Sequence, residues 1–401
     1  MRSPWPHPFK TPMTKPASIP FYRDERYLSA AAQIISALLV IAFLWWVGVN
    51  FLRGAEARNL SLSFSFLAKP SGFPISDPAI PYNTGDTFGY AFLVGVLNTL
   101  RVAVAGVVAA TILGTLVALA RLSSNWLLSK LALAFIEFHR NIPLLVLLFI
   151  WYFTVFRGLP AVGESVKLPG PIYLNQRGVY FTWPRLTETG WIFVAGIGLG
   201  VLSAILLWNF LRARRELTGR KTYFVESSLA ALFLFPLLGW FLSGGQPLRL
   251  DVPGLQGFNI QGGMRLTPEY AALFVGLVTY TAAFIAEVVR SGIQAVDRGQ
   301  LEAARALGLS NFHVLSFVIF PQAMRVIIPP MISQYLNLTK NTSLALAIGY
   351  QDLFSVGKIA INQAGRAIPV FLMVMATYLL MSLITAFVLN LYNRRIQFVV
   401  R

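Results

Sequence analysis

The stretch AEVVRSGIQAVDRGQLEAARALGLSNFHVLSFVIFPQAMRVIIPPM, residues 286–331, decides the fold. Apolar runs on either side are each long enough to cross a bilayer, so the charged middle, 290–313, reads as a loop between two spans. Glu287 and Arg290 close the first span at i,i+3 spacing, where side chains on a helix meet. Within the loop, QLEAARAL (300–307) is built of strong helix formers. Gly308 beyond it supplies the left-handed residue that ends a helix. Arg298 and Glu302 stand four apart with the arginine first, the weaker order for a pair. Ala303 and Ala304 leave room for another surface to approach, with Leu307 on the same side. Ser310 or Asn311 caps the helix that re-enters the membrane, and Pro321, Pro329 and Pro330 interrupt its ladder. A short amphipathic helix held between spans suits docking of a soluble partner. Adsorption on anionic lipid is the poorer reading, because Asp297 and Glu302 oppose it.

The rest of the chain agrees. Of 401 residues, 56% are hydrophobic and only 12% charged, yet the net charge is +17. That composition excludes a soluble multidomain enzyme. The cations lie in short clusters between apolar runs, which argues for topology determinants and against a nucleic-acid surface. There is no cysteine, hence no disulfide and no thiolate metal site. Eight stretches are long and apolar enough to span: 28–49, 88–120, 131–156, 190–210, 224–241, 270–289, 314–332 and 367–391. With both ends inside, 18 Lys and Arg fall in inner segments and 12 in the longer outer ones, as the positive-inside rule asks. The start is too proline-rich for a signal peptide and reads as a retained cytoplasmic tail. Two outer loops, 53–87 and 243–267, carry proline, glycine and aromatic residues suited to compact turns, either as simple connections or as a surface for a soluble partner.

Polar residues inside spans are the candidates for a pathway. Arg101 either snorkels toward the outer interface or faces the bundle. In EFHRNIPLL, Pro143 removes a donor and predicts a kink, and Glu137 stands at pairing distance from Arg140. His139 has no second ligand at metal spacing, so no metal site is expected. No Walker A loop occurs, and GRKT at Gly219 lacks the upstream glycines, so the chain is not expected to bind ATP.

The sequence resembles the membrane permease subunits of ABC importers in the polar amino-acid uptake family. The signature EAA, three residues, Gly, nine residues, then apolar-x-apolar-Pro is met by Glu302, Ala303, Ala304, Gly308, Val318, Phe320 and Pro321. GVLNTLRVA from Gly95, LGTLVALARLS from Leu113, EFHRNIPLLV from Glu137 and AEVVRSGI are similar to flanking stretches of the same family. The resemblance implies an all-α integral membrane protein of the type I ABC importer permease fold, with about eight transmembrane helices, five of them core. It implies a cytoplasmic tail (1–27), an extra helix (28–50), core segments 88–156 and 270–392, an insertion at 157–269 with two spans, and a cytoplasmic end (393–401). A coupling helix at 300–309 would dock on an ATPase through Gln300, Glu302, Ala303, Ala304, Leu307 and Gly308. The enlargement resembles one half of the general L-amino-acid system of Gram-negative bacteria.

The expected function is import of polar L-amino acids through the bacterial inner membrane. The expected partners are a second, related permease, two ATPase subunits that hold ATP and Mg, and a periplasmic binding protein. Pathway candidates are Arg140, Asn141, Met324, Arg325, Gln334, Asn337 and Thr339. Arg325 either draws a substrate carboxylate or pairs with a neighbouring helix. Residues 340–343 are expected in an outer gate or a re-entrant turn. Pro143, Glu287, Arg290, Arg298, Pro321, Pro329 and Pro330 are structural, and no residue is catalytic. The alternative, an ion-gradient-driven secondary transporter, would place acidic residues at mid-membrane, and here they sit near span ends.

Overall fold

The computed structural model describes residues 25–57 and 63–396. The predicted tail up to residue 24, and the last five residues, fall outside the described part. Helix α1 (Glu25–Ala57) forms a unit by itself, with leucine, isoleucine and tryptophan side chains exposed along its length, as a lipid-facing helix requires.

The second unit is built on α2 (Phe88–Leu122), a helix of 35 residues and about 52 Å. Thr87 caps it by accepting from the Tyr90 amide. α3 (Trp126–Asn141) and α4 (Leu144–Phe149), the latter continued as a π-helical turn to Phe156, meet at a 107° bend. Pro143 sits at that corner, so the predicted kink is a near right angle.

The insertion follows. β1 (Val166–Leu168), β2 (Ile172–Asn175), β3 (Gly178–Phe181) and β4 (Trp183–Leu186) precede helix α5 (Gly190–Thr218) and helix α6 (Phe224–Leu242). β5 (Leu248–Asp251), β6 (Gly254–Gln256), β7 (Asn259–Gln261) and β8 (Met264–Leu266) come after. The strands form an antiparallel sheet in the order β1-β2-β3-β8 and two ribbons, β4-β5 and β6-β7. The chain before the helical hairpin thus pairs with the chain after it, for instance Trp183 opposite Asp251 and Leu186 opposite Leu248. Where turns were expected at 243–267, there is an ordered strand module with its own small core of Val162, Tyr180 and Ile260. α5 and α6 pack mainly on each other. A Cβ at Gly196 would stand 2.7 Å from the Phe235 carbonyl oxygen, so only glycine permits this approach.

α7 (Pro268–Gln294) starts directly after β8, with Thr267 accepting from the Tyr270 amide as its cap. α8 (Arg298–Ala306) and a short turn α9 (Asn311–His313) lead through a π-helical segment (Val314–Ile319) into α10 (Phe320–Asn341). A 3-10 turn (Thr342–Ile348), α11 (Leu353–Ala364) and α12 (Ala367–Ile396) complete the chain. The seventh predicted span is therefore longer than 314–332, and Pro329 and Pro330 lie inside its helix. The π segment ends just before Pro321, which stands in the first turn of α10. Among the described residues seven helices are long and apolar enough to cross a membrane, and eight spans result when the bent pair counts as one. The core lies where α2, α3, α7 and α10 meet, around Ile136, Ile285, Ala286, Ile327 and Leu338.

Candidate functional site

Two regions of the second unit hold the sequence-predicted residues. The first is the loop helix α8. Asp297 caps its start by accepting from the Gly299 amide at 2.6 Å. At its end Gly308, at φ +75°, turns the chain. The Gly308 amide donates to the Arg305 carbonyl and the Leu309 amide to Ala304, the paired bonds of a Schellman motif. Ser310 then caps the next turn, accepting from the His313 amide. The helix starts two residues before the predicted Gln300. Ala304 is buried, 4% exposed, on the side toward Val314–Ile319, while Leu307 is 81% exposed. Glu302, Ala303 and Gly308 are exposed as well. Ala304 thus anchors the helix to its own chain and its neighbours face outward. No ion pair joins Arg298 to Glu302 among the described residues, in keeping with their unfavourable order. Glu287 and Arg290 do pair, at 2.7 Å.

The second region is the flank of α10. Tyr335 donates to or accepts from Thr111 of α2 at 2.9 Å. A groove of about 540 Å³ lies on one side, lined by Thr111, Met324 and Met331 among others. A groove of about 580 Å³ lies on the other, with Val104, Thr339 and Thr377. Tyr335 and Leu389 line both. Of the predicted pathway residues, Met324 and Thr339 reach these grooves. Arg325, Gln334 and Asn337 lie on the same helix but line neither. Arg140 and Asn141 are exposed at the α3 corner. Glu137 accepts from Asn141 at 3.1 Å instead of pairing with Arg140, whose guanidinium lies 5.6 Å from the Phe284 ring. Spacing i,i+4 brings Asn141 over Glu137, and the aromatic face draws the arginine away.

At the end where the strands lie, polar side chains tie four segments together. Arg101 pairs with Asp77 at 3.2 Å and stacks 4.3 Å over Tyr270, so it faces the bundle. Asn98, fully buried, accepts from the Ala79 amide and donates to the Gln351 carbonyl. Thr99 accepts from the Leu353 amide. Asp352 caps α11 and accepts from the Tyr378 hydroxyl at 2.9 Å. Burial above all pushes the Asp352 carboxyl up from its usual range, against the lowering by its hydrogen bonds. Of residues 340–343, Lys340 and Asn341 end α10, and Thr342 and Ser343 begin a 3-10 helix (Thr342–Ile348) closed by Gly349 at φ +84°. Sequence reasoning passed over Thr111 and Tyr335 because each is an isolated polar residue in an apolar run, and nothing in the spacing says that they meet. Among the described residues no group of three or more His, Asp or Glu could hold a metal ion.

Residues 196–398 match the family described as binding-protein-dependent transport system inner membrane component. The chain is 43% identical to the general L-amino acid transport system permease protein AapQ of Rhizobium johnstonii, over 94% of this chain and 94% of that protein. It is 44% identical to the putative amino-acid ABC transporter permease protein YhdX of Escherichia coli, over 92% and 94%. The glutamate/glutamine/aspartate/asparagine transport system permease protein BztB of Rhodobacter capsulatus is 37% identical over 93% of this chain and 95% of its own length.

Proposed function

The chain belongs to the family of binding-protein-dependent transport system inner membrane components, and from that premise we propose that it forms one half of an importer pathway for polar L-amino acids. It is a multi-pass inner-membrane protein, a permease subunit of an ABC-type importer, and not an enzyme. The observation that carries the finer reading is α8: a capped helix in a loop between two spans, with Glu302, Ala303, Leu307 and Gly308 facing out and Ala304 fixing it to α10's approach.

A cytoplasmic ATPase, present twice and holding ATP and Mg, takes α8 in a surface groove, with Gln300 and Glu302 at its rim. Because Ala304 packs against the segment that runs into α10, a push on α8 reaches α10 and the Tyr335–Thr111 contact without passing through a flexible tether. The transport core comprises 88–156 and 270–392. The insertion at 157–269, the helix at 28–50 and the end segments 1–27 and 393–401 are additions, both ends being cytoplasmic. A second, related permease closes the grooves beside Tyr335, and the pathway runs past Met324 and Thr339 with Arg325, Gln334 and Asn337 available from the same helix. A periplasmic binding protein delivers the amino acid at the strand-bearing end. Support for the substrate class comes from the relatives, which are named as transport system permeases for L-amino acids and for glutamate, glutamine, aspartate and asparagine.

The test is co-purification of the full chain with the products of neighbouring genes, followed by ATP hydrolysis in liposomes with the binding protein and a panel of amino acids. Hydrolysis stimulated by polar L-amino acids is expected. A chain that brings down no ATPase overturns the coupling assignment, and stimulation by unrelated solutes alone overturns the substrate class.

A further inference from the structure

The α5–α6 hairpin carries features that the transport reading does not use. α6 has 19 residues, about 28 Å, the thickness of the hydrocarbon layer, whereas α5 has 29 and about 43 Å. With the two helices in register, the last turns of α5 project beyond the hydrocarbon. That projection and the following turn, residues 212–226, hold Arg212, Arg214, Arg215, Arg220 and Lys221 against only Glu216 and Glu226. Arg212 is tied to Glu216 at 3.1 Å. Arg215 lies 5.6 Å from the Phe224 ring, which itself packs edge-on against Trp208. Gly219, at φ +63°, folds the basic turn back over the helix ends, and Thr222 donates to the Leu211 carbonyl.

Directly beneath this turn a groove of about 290 Å³ runs between the helices, lined by Ile205, Trp208, Asn209, Val225, Ser228 and Leu232 among others. It is almost wholly apolar except for Asn209 and Ser228. Ser228 is only 7% exposed and its hydroxyl finds no hydrogen-bond partner among the described residues. A buried hydroxyl without a partner is costly, and it stands one helical turn, about 6 Å, below Phe224. Cations at headgroup height, a lone donor at the depth of a lipid ester and an apolar trough below match the three parts of one molecule in order.

We propose that this groove is a binding site for an anionic glycerophospholipid: the phosphate lies among Arg214, Arg215, Arg220 and Lys221, an ester carbonyl accepts from the Ser228 hydroxyl, and an acyl chain fills the groove toward Leu232. Charge complementarity selects the occupant. Cations beside a membrane attract acidic headgroups, each by about a fivefold change in binding, and a zwitterionic lipid offers no net charge to meet them. The site lies outside the α8 and Tyr335 regions, so it does not depend on the assignment of transport.

The test uses the full-length chain with its accompanying subunits in nanodiscs of phosphatidylcholine containing increasing phosphatidylglycerol, with retained lipid counted by native mass spectrometry. The wild type is expected to keep phosphatidylglycerol in preference to phosphatidylcholine. The double variant Arg215→Gln with Arg220→Gln should lower that retention roughly twenty-five-fold, as two cations at about fivefold each. Ser228→Phe fills the groove with the charge intact and should also abolish the preference. If Ser228→Phe does not insert, Ser228→Ala removes the hydroxyl alone and should reduce retention. Equal retention of the two lipids, displacement by soluble glycerophosphate as effective as by lipid, or groove variants that keep full retention would each overturn the site. So would exclusion of lipid by a protein subunit seated on the hairpin.

Discussion

Gly308 offers a graded perturbation in which the backbone and the bulk of a side chain make opposite predictions. Its φ of +75° lies where a Cβ is strained, yet a Cβ built there meets no atom within 4 Å. The cost of a substitution within this chain is therefore backbone strain alone. Asparagine visits this region readily, alanine loses about 1 kcal/mol, and a β-branched valine falls toward the upper end of roughly 1–3 kcal/mol. The strain falls on the last turn of α8, whose closing bonds run from Gly308 and Leu309 to Arg305 and Ala304. Since Ala304 is the buried anchor, unwinding that turn releases Ala304 and the helix end from the approach to α10. One kcal/mol corresponds to about a fivefold loss of the capped population. Substrate-stimulated ATP hydrolysis in proteoliposomes should then stay near the wild-type level in Gly308→Asn, fall about fivefold in Gly308→Ala and fall further in Gly308→Val. Hydrogen exchange at the Gly308 and Leu309 amides should rise in the same order. If Gly308→Asn were as damaging as Gly308→Val while those amides stayed protected, the side chain would be striking the ATPase, and that result would refute the capping argument.

Other outcomes follow from the strand-bearing end and the hairpin. Asn98→Leu removes the partners of the Ala79 amide and the Gln351 carbonyl, both bonds being partly buried, and should lower the melting temperature in detergent, by about 1 kcal/mol of stability for each lost bond. Gly196→Leu drives a side chain into the Phe235 carbonyl and should part α5 from α6, read as loss of cross-linking between cysteines placed on facing positions of the otherwise cysteine-free chain. For Asp352, burial raises the folded carboxyl above its unfolded value, so its contribution to stability is full below the unfolded pKa and is lost as pH rises through the folded one. Asp352→Asn keeps an acceptor for the Ser355 amide and should flatten that part of the pH–stability curve, whereas an unchanged curve would show that the carboxyl titrates normally.

The span pattern was legible because hydrocarbon imposes one demand, a continuous apolar helix of about 20 residues, and a single sequence shows it directly. Pro143 was equally plain as a break, since its missing donor is a local property. How far the chain turns there was not, because the 107° bend depends on what α4 packs against, namely α7 and the turn after α10. The strands at 166–186 and 248–266 were missed for a related reason. Each has three or four residues, too few for an alternating pattern, and the pairings β3–β8 and β4–β5 reach across the α5–α6 hairpin, with 61 residues between the end of β4 at Leu186 and the start of β5 at Leu248. Pairing of that kind is a fact about topology, and periodicity carries no trace of it.

The candidate site divides along the same line. Gly308 and a cap at Ser310 or Asn311 could be assigned from sequence because caps and left-handed turns are satisfied by the residue itself and the few beside it, whereas the Asp297 cap went unread because the helix was placed to start at Gln300. Ala303 and Ala304 could not be told apart, although the structure buries one and exposes the other, since both are small and adjacent on the helix. The distinction comes from the π-helical segment ahead of Pro321, which brings Val314–Ile319 back across the inner side of α8. Exposure of Ala303 beside a buried Ala304 then makes a directional claim that the motif alone does not. Enlarging Ala303 should weaken only the contact with an outside partner, and enlarging Ala304 should displace α8 from its own chain. Ala303→Leu is therefore expected to keep the hydrogen-exchange protection of the Leu309 amide while losing ATPase co-purification, and Ala304→Leu to lose both. The reverse order would mean that α8 presents its other face.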